Sequence, residues 1–94
     1  MASKDSMIST VRTYNGYITG LSSVCADAAR QIYSLLQDVE QNWWGESGSA
    51  MSYALYDAYE KMNRARAMLD DAAGQIESEA WYRYNNWPEE KEDT

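Results

Sequence analysis

Residues 7–39 read MISTVRTYNGYITGLSSVCADAARQIYSLLQDV. Within this stretch Met7, Val11, Tyr14, Ile18, Leu21, Cys25, Ala28, Ile32, Leu35 and Val39 fall in alternating steps of four and three. That spacing stacks side chains along one face of an α-helix. The alternation resumes at Met51, Leu55, Ala58, Met62, Ala65, Leu69, Ala72 and Ile76, so a second helix of similar length is predicted. The two are placed at about residues 5–42 and 48–84, each roughly 55 Å long. Between them, Asn42-Trp43-Trp44-Gly45-Glu46-Ser47-Gly48-Ser49 holds two Gly able to take positive φ and two Ser able to cap the second helix. A connection this short makes the helices antiparallel neighbours, and the expected fold is an all-α two-helix hairpin.

One hairpin needs a single apolar seam, but this sequence has more. Tyr17, Val24, Ala29, Leu36, Ala54, Tyr59, Met68, Ala73 and Ala80 lie beside the seam and widen it. Helices with so broad an apolar stripe touch two neighbours. The missing layer is expected from dimerisation into a four-helix bundle, with Val24, Leu36 and Met68 at the dimer interface. The partner is either a second copy or a related hairpin. Gly16 and Gly20 fall on the outer face, and Cys25 reads as a small seam hydrophobe.

The 94 residues allow one domain, placed at residues 1–88, where Asn85 and Asn86 offer a C-cap and Pro88 ends the second helix. Residues 89–94, Glu-Glu-Lys-Glu-Asp-Thr, read as an acidic disordered tail. Eight Lys and Arg against fifteen Asp and Glu give a net charge of −7, which opposes binding to nucleic acid or to anionic lipid. The N-terminus builds no signal-peptide core, and no apolar run approaches the ~20 residues of a membrane span. The chain is therefore expected in the cytoplasm when made, with no membrane insertion. It has no His and a single Cys, which excludes the commonest metal and acid–base designs. Asp57, Glu60, Asp70, Asp71 and Glu77 alternate with Lys61, Arg64 and Arg66, the pattern of a solvated helix face. No catalytic residue, cofactor site or metal site is assigned, and no enzymatic activity is expected.

Trp43 and Gly45 form a Trp-x-Gly triplet at the expected turn, one heptad beyond Leu36. Two long amphipathic helices, an acidic chain of under a hundred residues and this triplet together resemble the WXG family of early-secreted-antigen-like proteins. That family belongs to the type VII (ESX) secretion system. The resemblance covers nearly the whole chain as architecture, and as sequence it rests on Trp43, Gly45, Ala50 and Tyr53. It implies a hairpin that dimerises, as a homodimer or a heterodimer. It also implies export by a route independent of a signal peptide, through a membrane-embedded ATPase, with Trp43 and Gly45 in the export or partner-recognition motif. The family's second signal is a Tyr-x-x-x-Asp/Glu element after the second helix, and here the sequence departs from the pattern. Tyr53 to Asp57 and Tyr56 to Glu60 have the spacing but open the second helix, whereas Tyr82 reaches Asn86 and Tyr84 to Glu89 is one residue too long. The aromatic group Trp81, Tyr82, Tyr84 and Trp87 is the candidate C-terminal recognition cluster. A chain without its own signal would leave with a larger co-secreted substrate. The rival reading is a cytosolic coiled-coil adaptor or chaperone for a larger partner.

Overall fold

The protein is described by a computed structural model covering residues 3–43 and 45–88. The tail at residues 89–94 and Trp44 lie outside the described residues. Two antiparallel helices, α1 (Lys4–Asn42) and α2 (Glu46–Asn85), pack along their length into a rod of 75 × 15 × 14 Å. The all-α hairpin expected from the heptads is the observed architecture.

Local chemistry sets the helix ends. Ser3 caps α1, its Oγ accepting from the Ser6 backbone N–H at 3.1 Å, and Asp5 in the first turn complements the helix dipole. Asn86 closes α2, its Nδ2 donating to the Tyr82 carbonyl at 2.7 Å. The start of α2 differs from the serine cap read from the sequence. The helix begins at Glu46, so Ser47 and Ser49 are already inside it, and Gly45 stands at the N-cap with no side-chain bond.

The core runs along a different line from the one the periodicity selects. Ile8, Asn15, Ser22, Ala29 and Leu36, one heptad apart, are buried between the helices, together with Val39. Tyr14, Leu21 and Leu35, which the seam had placed inside, are 62%, 56% and 50% exposed. The two lines share Val11, Ile18, Cys25 and Ile32, all half-buried, so the helix is turned by about one residue's width about a common edge. Small residues dominate the α2 side of the contact. Across from the inner row, α2 supplies Gly48, Ala73 and Ala80 as its buried positions, and small residues on both sides let the two backbones approach closely. Ile8, Leu36 and Val39 supply the larger apolar side chains of this contact. Leu36 is correspondingly removed from the expected dimer interface: at 2% exposure it belongs to the packing of α1 on α2.

Two polar residues occupy this inner row. Asn15 donates from Nδ2 to the Ala73 carbonyl at 3.0 Å, and the Ser22 hydroxyl donates to Asp70 Oδ1 at 2.7 Å. Asn15 Oδ1 is buried without a hydrogen-bond partner among the described residues. Any slip of one helix along the other breaks both bonds, so these residues fix the register.

Candidate functional site

No helix among the described residues is long and apolar enough to cross a membrane, and no group of three potential metal ligands occurs among them. What the rod offers is surface, in three places: its turn end, its open end and one long flank.

At the turn end Trp43 closes α1, its backbone N–H donating to the Val39 carbonyl at 2.9 Å. Gly45 takes φ 89° and ψ −164°, a conformation essentially confined to glycine. Gly48 has a separate steric duty. A Cβ there would stand 2.6 Å from the Trp43 carbonyl oxygen, so its lack of a side chain lets the first turn of α2 pass under the end of α1. The Trp43 side chain is 55% exposed. Beside it runs a groove of about 890 Å³ along the start of α2, lined by Trp43, Tyr53, Tyr56 and the carboxylates of Glu40, Asp57 and Glu60. Lys61 Nζ lies 2.8 Å from Asp57 Oδ2, and its hydrogen bond and charge hold the Asp57 carboxyl below its ordinary value of 3.8.

The open end divides the aromatic cluster read at residues 81–87. Trp81 and Tyr84 meet edge to face, with centroids 5.1 Å apart, and fold back on the start of α1. Arg12 lies over the Trp81 ring at 5.3 Å, Lys4 over the Tyr84 ring at 4.9 Å, and the Tyr84 hydroxyl donates to Asp5 Oδ1 at 3.1 Å. These two aromatics are half-buried and tie the helices together. Trp87 is half-buried as well. Only Tyr82, 65% exposed, faces outward. The four residues are thus not one surface patch, and they sit at the opposite end of the rod from Trp43 and Gly45.

The long flanks differ from each other. Contacts between Tyr33 and Tyr59 at 5.5 Å, Tyr56 and Tyr59 at 6.3 Å, Ser22 and Asp70, Arg12 and Trp81, and Asp5 and Tyr84 all lie on one side of the inner rows. This is the closed flank. The other side carries, on α1, Tyr14, Tyr17, Leu21, Val24 and Leu35, and on α2, Met51, Met68 and Ile76, all exposed. On α1 Tyr14, Tyr17, Leu21 and Val24 again fall in steps of three and four, with Leu35 eleven residues further on. They form a second apolar seam, with only Tyr14 and Tyr17 in mutual ring contact, centroids 5.8 Å apart. Of the three interface residues read from the sequence, Val24 and Met68 lie on this open flank, at 62% and 71% exposure. Leu35, next to Leu36, takes the place assigned to its neighbour. Cys25 is a half-buried free thiol, and a Cβ placed at Gly16 or Gly20 would meet nothing within 4 Å among the described residues, in keeping with their outer positions.

Compared with protein-family models, curated proteins and solved structures, the chain matches none.

Proposed function

We propose that this chain is a small exported or co-exported helical hairpin of a type VII-like secretion system, acting by protein–protein binding as a homodimer or as a heterodimer with a related hairpin. The observation that carries the binding reading is the open flank. It leaves Leu21, Val24, Leu35 and Met68 at 56%, 62%, 50% and 71% exposure along one side of the rod, a contiguous apolar stripe of the kind that marks a protein–protein contact surface. Packing a second hairpin on Leu21, Val24, Leu35, Met51 and Met68 would produce the four-helix bundle that the broad apolar stripe calls for.

The secretion part of the reading comes from the resemblance carried by Trp43 and Gly45, with their position at the helix junction as support. In an antiparallel pair of rods the turn end of one lies beside the open end of the other. Trp43 would then come near the partner hairpin's last turn, and the exposed Tyr82 of a second copy is the aromatic available there.

The test combines two measurements in a host that has the machine and its ATPase. Sedimentation should give about twice the chain mass, for the chain alone or with a related hairpin. Export should depend on the ATPase and should fall in Trp43→Ala and Tyr82→Ala, both of which alter exposed side chains and leave the fold intact. A folded, dimeric protein that stays in the cell with or without the ATPase would defeat the secretion reading and favour the adaptor. A folded monomer at tens of micromolar with no partner would defeat both.

A further inference from the structure

From residue 31 to residue 60 the chain has no Lys or Arg, while Asp38, Glu40, Glu46, Asp57 and Glu60 supply five carboxylates. The turn end of the rod is therefore anionic as a block, and its only ion pair among the described residues is that of Asp57 with Lys61, at the block's edge. No basic residue stands in the last turn of α1, so the partial negative charge of its terminal carbonyls adds to the field. Into this field opens the groove beside Trp43. Its ring faces are unusually available: Trp43, Tyr53 and Tyr56 are 55%, 77% and 53% exposed. Glu40 and Glu60 line it without an ion pair among the described residues.

A groove lined by aromatic faces and free carboxylates suits one kind of group above others. A guanidinium lies flat on a ring face, attracted by the ring's negative quadrupole, while its N–H edge reaches a carboxylate. An acidic segment is repelled, and a purely apolar one would leave Glu40 and Glu60 to lose hydration uncompensated. We propose that the groove at the turn end is a docking site for an extended, arginine-bearing segment of another protein, with Arg side chains laid across Trp43, Tyr53 and Tyr56 and held by Glu40 and Glu60. The groove follows the closed side of the rod. Its Tyr53, Tyr56, Glu40 and Glu60 stay accessible when the open flank is covered, and the site does not depend on the export reading.

The test is calorimetric titration of the full chain with a terminally blocked tetra-arginine peptide. One site per chain is expected, with affinity falling as salt rises. Tyr53→Ala, and separately the pair Glu40→Gln with Glu60→Gln, should each weaken binding about tenfold. The pair Asp71→Asn with Glu77→Gln makes the same change in net charge at exposed positions on α2 away from the groove, and it should alter affinity less than twofold. Equal losses from the two charge pairs would mean diffuse attraction to an acidic rod and would overturn the proposal. So would indifference to Tyr53→Ala, absence of binding, or equal binding of a neutral tetra-leucine analogue.

Discussion

The two flanks of this hairpin are built from the same pair of helices and finished in opposite ways. On the closed flank, side chains of α1 and α2 reach across to each other: Arg12 to Trp81, Asp5 to Tyr84, Tyr33 to Tyr59. On the open flank the larger aliphatic residues, Leu21, Val24, Leu35 and Met68, stand outward. A hairpin intended to stand alone would bury its largest apolar side chains first. Here the inner rows mix small and polar residues with Ile8, Leu36 and Val39, while Leu21, Val24, Leu35 and Met68 stay in contact with water. The difference separates two roles: the closed flank and inner rows hold the hairpin together, and under the proposed function the open flank is the surface through which it would associate.

The sharpest way to break this division is to charge one residue of each kind. Leu36→Asp should abolish the helical fold at every protein concentration, since even truncation of a buried Leu to Ala costs ~2–5 kcal/mol and a carboxylate there would lose its hydration as well. Circular dichroism checks it; a helical Leu36→Asp protein would mean that the inner row is wrongly placed. Val24→Asp, on the open flank, should act on association instead. The parent's melting temperature should rise with protein concentration, as it must when subunits stabilise one another, and in Val24→Asp that dependence should vanish. If Val24→Asp left it unchanged, the open flank would not be the association surface.

Glycine substitutions probe the same contrast at smaller scale. A Cβ at Gly74 meets nothing within 4 Å, so Gly74→Ala should stabilise by ~0.5–1 kcal/mol through helix propensity alone. Gly20, at the rim of the open flank, is equally unobstructed in the single hairpin. If another helix approaches there, Gly20→Ala should forfeit that gain in concentrated solution and recover it on dilution, a difference that paired melts would reveal. The smallest effect is expected at Asp57. Lys61 lowers its pKa from 3.8, so the pair stabilises the fold above that pH and the contribution disappears as pH falls through the depressed value. Asp57→Asn should thus lower the melting temperature slightly at neutral pH, less so in high salt, and not at all in strong acid.

Helix number, length and direction were legible in the residues because heptad spacing persists for five turns of the pattern and Pro88 is the only proline. The register was not. Periodicity weighs apolar character, and on α1 it selects the row of Met7, Tyr14, Leu21, Ala28 and Leu35 over the row of Ile8, Asn15, Ser22, Ala29 and Leu36, because the second contains Asn and Ser. The hairpin sets the second row against Ala73 and Ala80 and bonds Asn15 to Ala73 and Ser22 to Asp70, information that sits some fifty residues away in the chain. A signal was nonetheless available: two adjacent heptad rows, one large and one small, on a helix with a small-residue neighbour. The position of Trp43 and Gly45 at the junction followed from the sequence. The acidic groove beside them did not, since Glu40 is brought to Tyr53 and Glu60 only when the helices fold back.

The register-fixing bonds also set an order of events in folding. In an antiparallel hairpin the chain length that must be closed grows steadily away from the turn: Ser22 and Asp70 are 48 residues apart, Asn15 and Ala73 58, Asp5 and Tyr84 79. Loop closure becomes costlier with length, so pairing is cheapest beside Gly48 and zips outward, with contact order rising toward the termini. Gly48→Ala would then act early and slow folding, whereas Tyr84→Ala would act after the barrier and mainly hasten unfolding. The rod is thus a molecule whose two ends keep different clocks.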